Sequence, residues 1–193
     1  MFKKFLLTGI AAVSLLAFSF PVESFAHANT HTVQKGDSIY KIAMEHGVSA
    51  QQLQAMNNKS NAEIHPGEQL QLPVALNESE KDLLARLVEA EAKGESYAGK
   101  VAVATVVLNR VDSDLFPDSL KGVIYDGIQF SPVLNGTINQ AASAESKRAV
   151  NEAIAYQGYD RESLFFYNPD KAQSDYLSSK EVTTVIGDHV FLR

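Results

Sequence analysis

The 193-residue chain contains no cysteine and no tryptophan. Without cysteine it can form no disulfide, no thiolate metal site and no cysteine nucleophile. Basic charge is also scarce, since 17 Lys and Arg against 23 Asp and Glu give a formal net charge of -6. Nucleic acids and anionic lipid surfaces are bound by dense basic faces. We therefore expect neither as a partner.

Metal-ligand spacing is nearly absent as well. The five histidines are scattered, no H-x-x-E-H pattern occurs, and the one H-x-x-x-H pair, His27 and His31, lies just after the N-terminal apolar stretch. No sequence motif indicates a nucleotide or another cofactor. The sequence thus predicts no metal site and no cofactor.

Long apolar runs are absent except at the N-terminus. Lys3 and Lys4 precede an apolar stretch over residues 5–20, and Ala26-His27-Ala28 fits the small-residue cleavage rule. We predict a signal peptide over residues 1–28, cleaved after Ala28. The alternative is an uncleaved anchor, although the stretch is short for a span of ~20 residues. The expected locations are the cell wall, the spore envelope or the extracellular space, with no stable membrane span after cleavage.

Residues 31–74 have the signals of a compact unit with the order strand, helix, helix, strand. Gly47 stops the first predicted helix and Ser49 caps the second. Pro66-Gly67 marks a turn before an alternating strand. The predicted unit is a small βααβ module.

This module resembles a LysM domain, with bounds of 29–74. The resemblance is carried by "HTVQKGDSIYKIA", "GVSAQQLQAMN" and "IHPGEQLQLP". It implies binding of N-acetylglucosamine-containing glycans such as peptidoglycan and chitin, in a shallow groove between two loops. Carried over by position, the groove residues are Gly36, Asp37, Ser38 and Ile39 in one loop and Asn61, Ala62, Glu63 and Ile64 in the other. The structural alternative is that Gly36 and Asp37 only form the turn and cap the helix.

A second domain is predicted over residues 80–193, after a short linker at residues 75–79. Asn77 and Glu80 form a capping box for a helix that we expect to run to Lys93. The next helix is apolar on every face over residues 101–108, which is typical of a buried central helix. Residues 126–142 show no period and are predicted as a long loop. A late strand and hairpin complete a mostly helical domain, so the predicted fold class is α+β.

Glu91 is the residue with the clearest chemical signal. At about 100° per residue it falls within the apolar arc of its helix, which includes Leu87 and Val88. Burial and the nearby helix C-terminus would both raise its pKa. A carboxyl group that stays protonated near neutral pH can act as the acid in glycoside cleavage. The alternative is a buried carboxylate that is satisfied by a structural partner such as Arg110.

From residue 83 onward the chain resembles the catalytic domain of SleB-type cell-wall hydrolases, the spore cortex-lytic family. The matching stretches are "LLARLVEAEAKGE", "GKVAVATVVLNRV", "FPDSLKGVIY", "QFSPVLNGTIN", "LFFYNP" and "TTVIGDHVFLR". The resemblance implies a lysozyme-like fold, Glu91 as the catalytic residue, and peptidoglycan or spore cortex as substrate. Glu89 departs from the family pattern, and we expect it on the outer, solvated face. The best-known members also carry a different wall-binding module.

A second catalytic carboxylate is not evident in the sequence. Glu95 lies beyond the predicted helix end, and the loop aspartates have no distinguishing pattern. Hydrolases that retain or invert configuration need two carboxylates, whereas a lytic transglycosylase needs one, so the sequence favours the latter. Candidate cleft residues are Gln129, Ser131, Tyr167 and Asn168, and His189 is a further candidate.

Two other functions remain open. One is a catalytically inactive wall-binding or sensor protein that retains the fold. The other is an amidase or endopeptidase of the wall, a class that usually uses zinc or cysteine.

Overall fold

The structure is a computed structural model that describes residues 29–160 and 162–193. The predicted signal peptide, residues 1–28, lies outside the described residues. Within those two ranges no helix combines the length and apolar character needed to cross a bilayer.

The N-terminal module has the predicted βααβ order. Its elements are β1 Thr30–Thr32, α1 Ile39–His46, α2 Ala50–Met56 and β2 Gln69–Gln71. The two strands pair antiparallel, with His31 opposite Leu70. The side chains of Ile42, Leu53 and Leu70 are fully buried and form the centre of the module core.

Local chemistry sets the helix boundaries of this module. The side chains of Ser38 and Ser49 accept hydrogen bonds from Lys41 N and Gln52 N, which caps α1 and α2. Gly47 ends α1 in the left-handed conformation, at φ 61°. These boundaries agree with the sequence prediction.

The C-terminal domain is built mainly from helices. They are α3 Glu78–Glu91, α4 Tyr97–Val111, α5 Leu120–Ile124, α6 Ser131–Asn135, α7 Ala144–Tyr156 and α8 Asp175–Ser178, with a 3₁₀ turn at Thr137–Asn139. Every residue of α4 from Val103 to Arg110 is buried, because α3, α5 and α7 all pack against this helix. The apolar stretch therefore lies at the centre of the domain, as predicted.

A three-stranded antiparallel sheet closes the domain. Its strands are β3 Phe165–Tyr167, β4 Val182–Ile186 and β5 His189–Leu192, in the order β3-β5-β4. Gly187 and Asp188 form the predicted two-residue turn of the hairpin. The mostly helical domain with a small late sheet confirms the α+β prediction.

Three local predictions were wrong. Residues 126–142 are not one loop, since α6 and the 3₁₀ turn lie within them. These elements are too short to show a period, and they are anchored by the burial of Pro132 and Ile138. Helix α3 ends at Glu91 rather than at Lys93. Helix α8 was not predicted, because its four residues include no buried one.

The two domains are in direct contact. Ala155, on α7 of the second domain, is fully buried in the core of the first. Ser49 Oγ donates a hydrogen bond to the carbonyl oxygen of Gln157 at 2.8 Å. The rings of Tyr40 and Tyr156 meet edge to face with their centres 5.7 Å apart. The module is therefore packed against α7 rather than tethered by the linker alone.

Ala155→Glu is expected to separate the two domains, because a buried, unpaired charge costs several kcal/mol. The measurement is the rate of thermolysin cleavage within residues 72–77, which lie between β2 and α3. We expect faster cleavage than in the wild type, with unchanged helix content by circular dichroism. Ala144→Glu, at an exposed position on the same helix, is the control. Equal cleavage rates for the two variants would contradict the interface.

Candidate functional site

Helix α3 positions Glu91 at its last residue. The helix starts with the predicted capping box, in which Glu80 N donates to Asn77 Oδ1 and Asn77 N donates to Glu80 Oε2. Its inner face, including Leu87 and Val88, is fully buried in the domain core. Because Glu91 follows on that same face at the helix end, its carboxyl group emerges at the edge of the core, half-buried.

The Glu91 carboxyl group opens into a cleft of about 510 Å³. The end of α3, the start of α6, strand β3 and the start of β5 contribute to the cleft walls. The lining residues are Ala90, Glu91, Lys93, Arg110, Gln129, Phe130, Ser131, Phe166, Tyr167, Asn168, Lys171, Ala172 and His189. All four cleft residues predicted from the sequence, and the further candidate His189, thus line the same cavity as Glu91.

Burial controls the acidity of Glu91. Removal of the carboxyl group from water raises its pKa from 4.5 to about 7, and the positive charge of Arg110 opposes part of this rise. A substantial fraction of Glu91 is consequently protonated at neutral pH. The group can both give and accept a proton under the same conditions.

Arg110 is the positive charge of the cleft. Its Nε donates to the carbonyl oxygen of Leu164 at 2.7 Å, and its guanidinium lies 4.8 and 5.2 Å from the ring centres of Phe116 and Phe130. Burial lowers the pKa of Arg110 to about 10, so the side chain remains charged at neutral pH. Arg110 and Glu91 form no salt bridge within 4.0 Å, so the structural alternative of a direct ion pair is not observed.

Three polar atoms of the cleft are buried without a hydrogen-bond partner in the part of the chain that the structure describes. They are Arg110 Nη1, Asn168 Nδ2 and His189 Nδ1. Buried polar groups are normally paired, and leaving one unpaired costs about 1–3 kcal/mol. His189 Nδ1 lies 3.5 Å from Glu95 Oε1, so Arg110 Nη1 and Asn168 Nδ2 are the unpaired donors that the cleft residues can offer to a polar ligand.

Among the described residues that line the cleft, Glu91 is the only carboxylate. Glu95 instead supports the final hairpin, accepting from Asp188 N at 3.3 Å and lying 3.5 Å from the ring of His189. Only 7% of the Glu95 side chain is exposed, so it has a structural place behind the cleft. The aspartates of the loops also lie outside the cleft lining.

Comparisons with known proteins agree with this geometry. A family model described as Cell Wall Hydrolase matches residues 94–192, and one described as LysM domain matches residues 31–73. The chain belongs to the cell wall hydrolase family. The predicted domain bounds, 29–74 and 80–193 with a linker at 75–79, remain predictions.

Several relatives of this chain are named spore cortex-lytic enzymes. One from Halalkalibacterium halodurans is 37% identical over 120 residues, which are 62% of this chain and 36% of the relative. One from Bacillus cereus is 32% identical over 190 residues, or 91% of this chain and 68% of the relative. The chain therefore spans about a third of the length of the first relative and two thirds of the second.

The fold is also similar to a solved structure. The catalytic domain of the germination-specific lytic transglycosylase SleB from Bacillus anthracis matches with a TM-score of 0.58 and 34% identity. The match covers 63% of this chain and 99% of that domain. The family resemblance in the sequence is thereby confirmed.

Glu89 corrects one expectation within the family motif. It is half-buried rather than fully solvated, because it accepts hydrogen bonds from Ser143 Oγ, from Ser146 Oγ at 2.7 Å and from Ser143 N at 3.2 Å. The hydrogen bonds from the hydroxyl groups of Ser143 and Ser146 hold the pKa of Glu89 below its ordinary value. Glu89 thus ties α3 to the first turn of α7.

The predicted groove residues of the LysM domain differ in their accessibility. Gly36, Asn61, Ala62 and Glu63 are exposed, whereas Ile39 is buried in the module core at 2% exposure. The side chain of Ile39 is therefore not accessible to a sugar. Asp37, Ser38 and Ile64 are half-buried, and the Asp37 carboxylate is occupied by internal hydrogen bonds.

Sequence reasoning missed the electrostatic environment of the cleft. Arg110 was considered only as a structural partner, and Lys93 and Lys171 were not considered as cleft residues. One signal was available, because Arg110 is a charged residue that closely follows the long apolar stretch of α4. The two lysines are exposed and no pattern distinguishes them from other surface lysines.

The opposite pKa shifts of Glu91 and Glu89 predict opposite pH effects on stability. Glu91 has a raised pKa in the folded state, so the wild type loses stability relative to Glu91→Gln as pH rises from 4.5 to about 7. The difference between the two pKa values corresponds to a loss of roughly 3 kcal/mol in the free energy of unfolding. Denaturant unfolding of the wild type and of Glu91→Gln at pH 4 and pH 8.5 measures this loss.

Glu89→Gln is the matched control on the same helix. In the wild type, the lowered pKa of Glu89 contributes stability that is present above pH 4.5. This stability is lost as pH falls through the pKa that Glu89 has in the folded state. Glu89→Gln should therefore be most harmful at pH 8.5, where Glu91→Gln is most favourable. The same pH trend in both variants would contradict the assignment of these environments.

Proposed function

We propose that this protein cleaves the glycan strand of peptidoglycan, with Glu91 acting first as acid and then as base. The observation that carries the proposal is a single carboxyl group, with a pKa raised to about 7, in a cleft whose described lining holds no other carboxylate. General acid-base catalysis is most effective when the pKa of the group is near the working pH. The described lining offers no second carboxylate for a two-carboxylate hydrolytic mechanism, which supports the proposal.

The proposed reaction is a lytic transglycosylation. Glu91 protonates the glycosidic oxygen as the bond from this oxygen to C1 of N-acetylmuramic acid breaks. The 6-hydroxyl of the same sugar then attacks C1 and gives its proton to the Glu91 carboxylate. A 1,6-anhydro ring forms, Glu91 is again protonated, and no water is consumed.

The surroundings of Glu91 suit both proton states. Burial favours the neutral acid before cleavage, while Arg110 stabilises the carboxylate that exists after proton donation. The unpaired Nδ2 of Asn168 can donate to an acetamide or lactyl carbonyl oxygen. Tyr167 can stack against a sugar ring, and Gln129 and Ser131 offer further hydrogen bonds at the rim.

The LysM domain is the proposed anchor on the wall. Its exposed loop residues, including Gly36, Asn61 and Ala62, offer backbone and small side-chain groups for binding N-acetylglucosamine units. Because the module packs on α7, an anchored strand stays near the catalytic domain. The LysM domain can then bind, and the catalytic domain can cleave, the same peptidoglycan layer.

The spore cortex is the proposed target layer. Support comes from relatives named spore cortex-lytic enzymes and from a solved structure whose title describes a germination-specific lytic transglycosylase. This target requires export to the cell wall or spore envelope, in keeping with the signal peptide predicted at residues 1–28. Comparing cortex fragments that contain muramic lactam with vegetative wall as substrates tests the preference.

Glu91→Gln should reduce release of soluble muropeptides from purified peptidoglycan by at least about 100-fold, because it removes the acid and base. Mass analysis of wild-type products should show 1,6-anhydromuramic ends. Glu78→Gln, exposed at the start of the same helix, is the control and should cleave normally. Wild-type activity in Glu91→Gln would overturn the role of Glu91.

The products separate the alternatives. Reducing-end muramic acid would reject transglycosylation in favour of hydrolysis. Peptide fragments without glycan cleavage would identify an amidase or endopeptidase. No products from the wild type on either wall would favour an inactive binding protein.

Ala62→Arg should weaken binding to the wall, because a long charged side chain would obstruct the proposed LysM groove. The assay is co-sedimentation with purified peptidoglycan, made in the Glu91→Gln background so that the wall is not digested. Ala55→Arg, at an exposed position on α2, is the matched control. Equal binding by both arginine variants would contradict the predicted groove.

A further inference from the structure

Two histidines of the LysM domain meet although they are far apart in sequence. His31 lies on β1, and Glu45 and His46 form the end of α1. One potential ligand atom from each of these three residues lies within 4.8 Å of the other two. Residue spacing does not indicate this cluster, because it forms where the side chain of His31 on β1 meets the end of α1.

The two histidine rings are hydrogen-bonded to each other, and a bound ion would replace this hydrogen bond. His31 Nδ1 and His46 Nε2 are 2.9 Å apart, with the rings inclined at 75°. In a tetrahedral zinc site with Zn–N bonds of 2.0–2.1 Å, two nitrogen ligands are separated by about 3.3 Å. A shift of a few tenths of an ångström would allow both nitrogens to face one ion.

Asp37 provides the outer support that metal-bound histidines usually have. Its Oδ2 lies 2.9 Å from His31 Nε2 and also accepts a hydrogen bond from Gln34 N at 2.8 Å. A proton on His31 Nε2, donated to Asp37, leaves a lone pair on Nδ1, directed towards His46. Carboxylate–histidine–metal arrangements use this hydrogen bond to set the tautomer and the ring orientation.

The surroundings favour an accessible site over a closed structural one. His31 and His46 are half-buried, whereas Glu45 is exposed and free to adjust its carboxylate. Three protein ligands leave a fourth position for water or another small ligand. Two imidazoles and one carboxylate suit Zn²⁺ better than Mg²⁺ or Ca²⁺, which prefer oxygen ligands.

We propose that His31, His46 and Glu45 bind one divalent zinc-type cation, with Asp37 as the positioning residue for His31. The site connects β1, the loop that follows it and the end of α1. Occupancy therefore stabilises the LysM domain independently of any activity in the Glu91 cleft.

The test is calorimetric titration of ZnCl₂ into the purified chain without an affinity tag. One equivalent should bind, and the melting temperature should rise with ZnCl₂ concentration, since a ligand that binds only the folded state stabilises it. Glu45→Gln and His46→Asn should each weaken binding by at least tenfold. Asp37→Asn should weaken it about 10- to 100-fold, as is typical for outer-shell partners.

His65→Asn is the matched control, because His65 is an exposed histidine elsewhere in the same domain and its loss should not change zinc binding. Glu45 is exposed, so Glu45→Gln keeps the test valid even if a histidine variant misfolds. The absence of stoichiometric binding to the wild type would overturn the proposal. Unchanged affinity in Glu45→Gln or in His46→Asn would also overturn it.

Discussion

Helix α4 is buried along most of its length, and the site depends on the packing around it. Helices α3, α5 and α7 and strands β3 and β4 all contact this central helix. Its small and β-branched residues, from Val103 to Val107, let these neighbours approach closely. Arg110 follows near its C-terminal end, where the core gives way to the cleft.

The position of Arg110 links packing with chemistry. Aromatic rings from two connecting segments and the Leu164 carbonyl hold its guanidinium, so it carries a positive charge in a partly apolar place. Glu91 reaches the same cavity from the end of α3. Desolvation raises the pKa of the carboxyl group and the arginine limits the rise, which leaves a group with a pKa near neutral pH. A fully buried carboxyl group without this charge would resist ionisation, and one in water would be ionised at neutral pH.

The two glutamates of one motif show how much the surroundings matter. Glu89 and Glu91 are two residues apart on one helix, but their pKa values move in opposite directions. Glu89 meets hydroxyl and amide donors from α7, which stabilise its charge. Glu91 is instead desolvated by burial, and the charge of Arg110 only partly opposes the resulting rise in its pKa. The proposed division into a structural and a catalytic carboxylate follows from this contrast.

Local chemistry along the chain was sufficient for much of the fold. Caps at Ser49 and Asn77, the stop at Gly47 and the Gly187-Asp188 turn act over a few residues, so they could be identified from sequence. The helical period also placed Glu91 on the buried face of α3. Short elements without a period, such as α6 and α8, could not be identified in this way.

Only the tertiary structure decided what surrounds each functional group. Arg110, Asn168 and His189 come from distant parts of the chain, and they line one cleft with Glu91 because α4, β3 and β5 pack together. The same holds for His31 and His46, which meet through the packing of β1 against α1. Periodicity can indicate which face of an element is buried, but contact partners depend on how separate elements pack, and that information is not local to any segment.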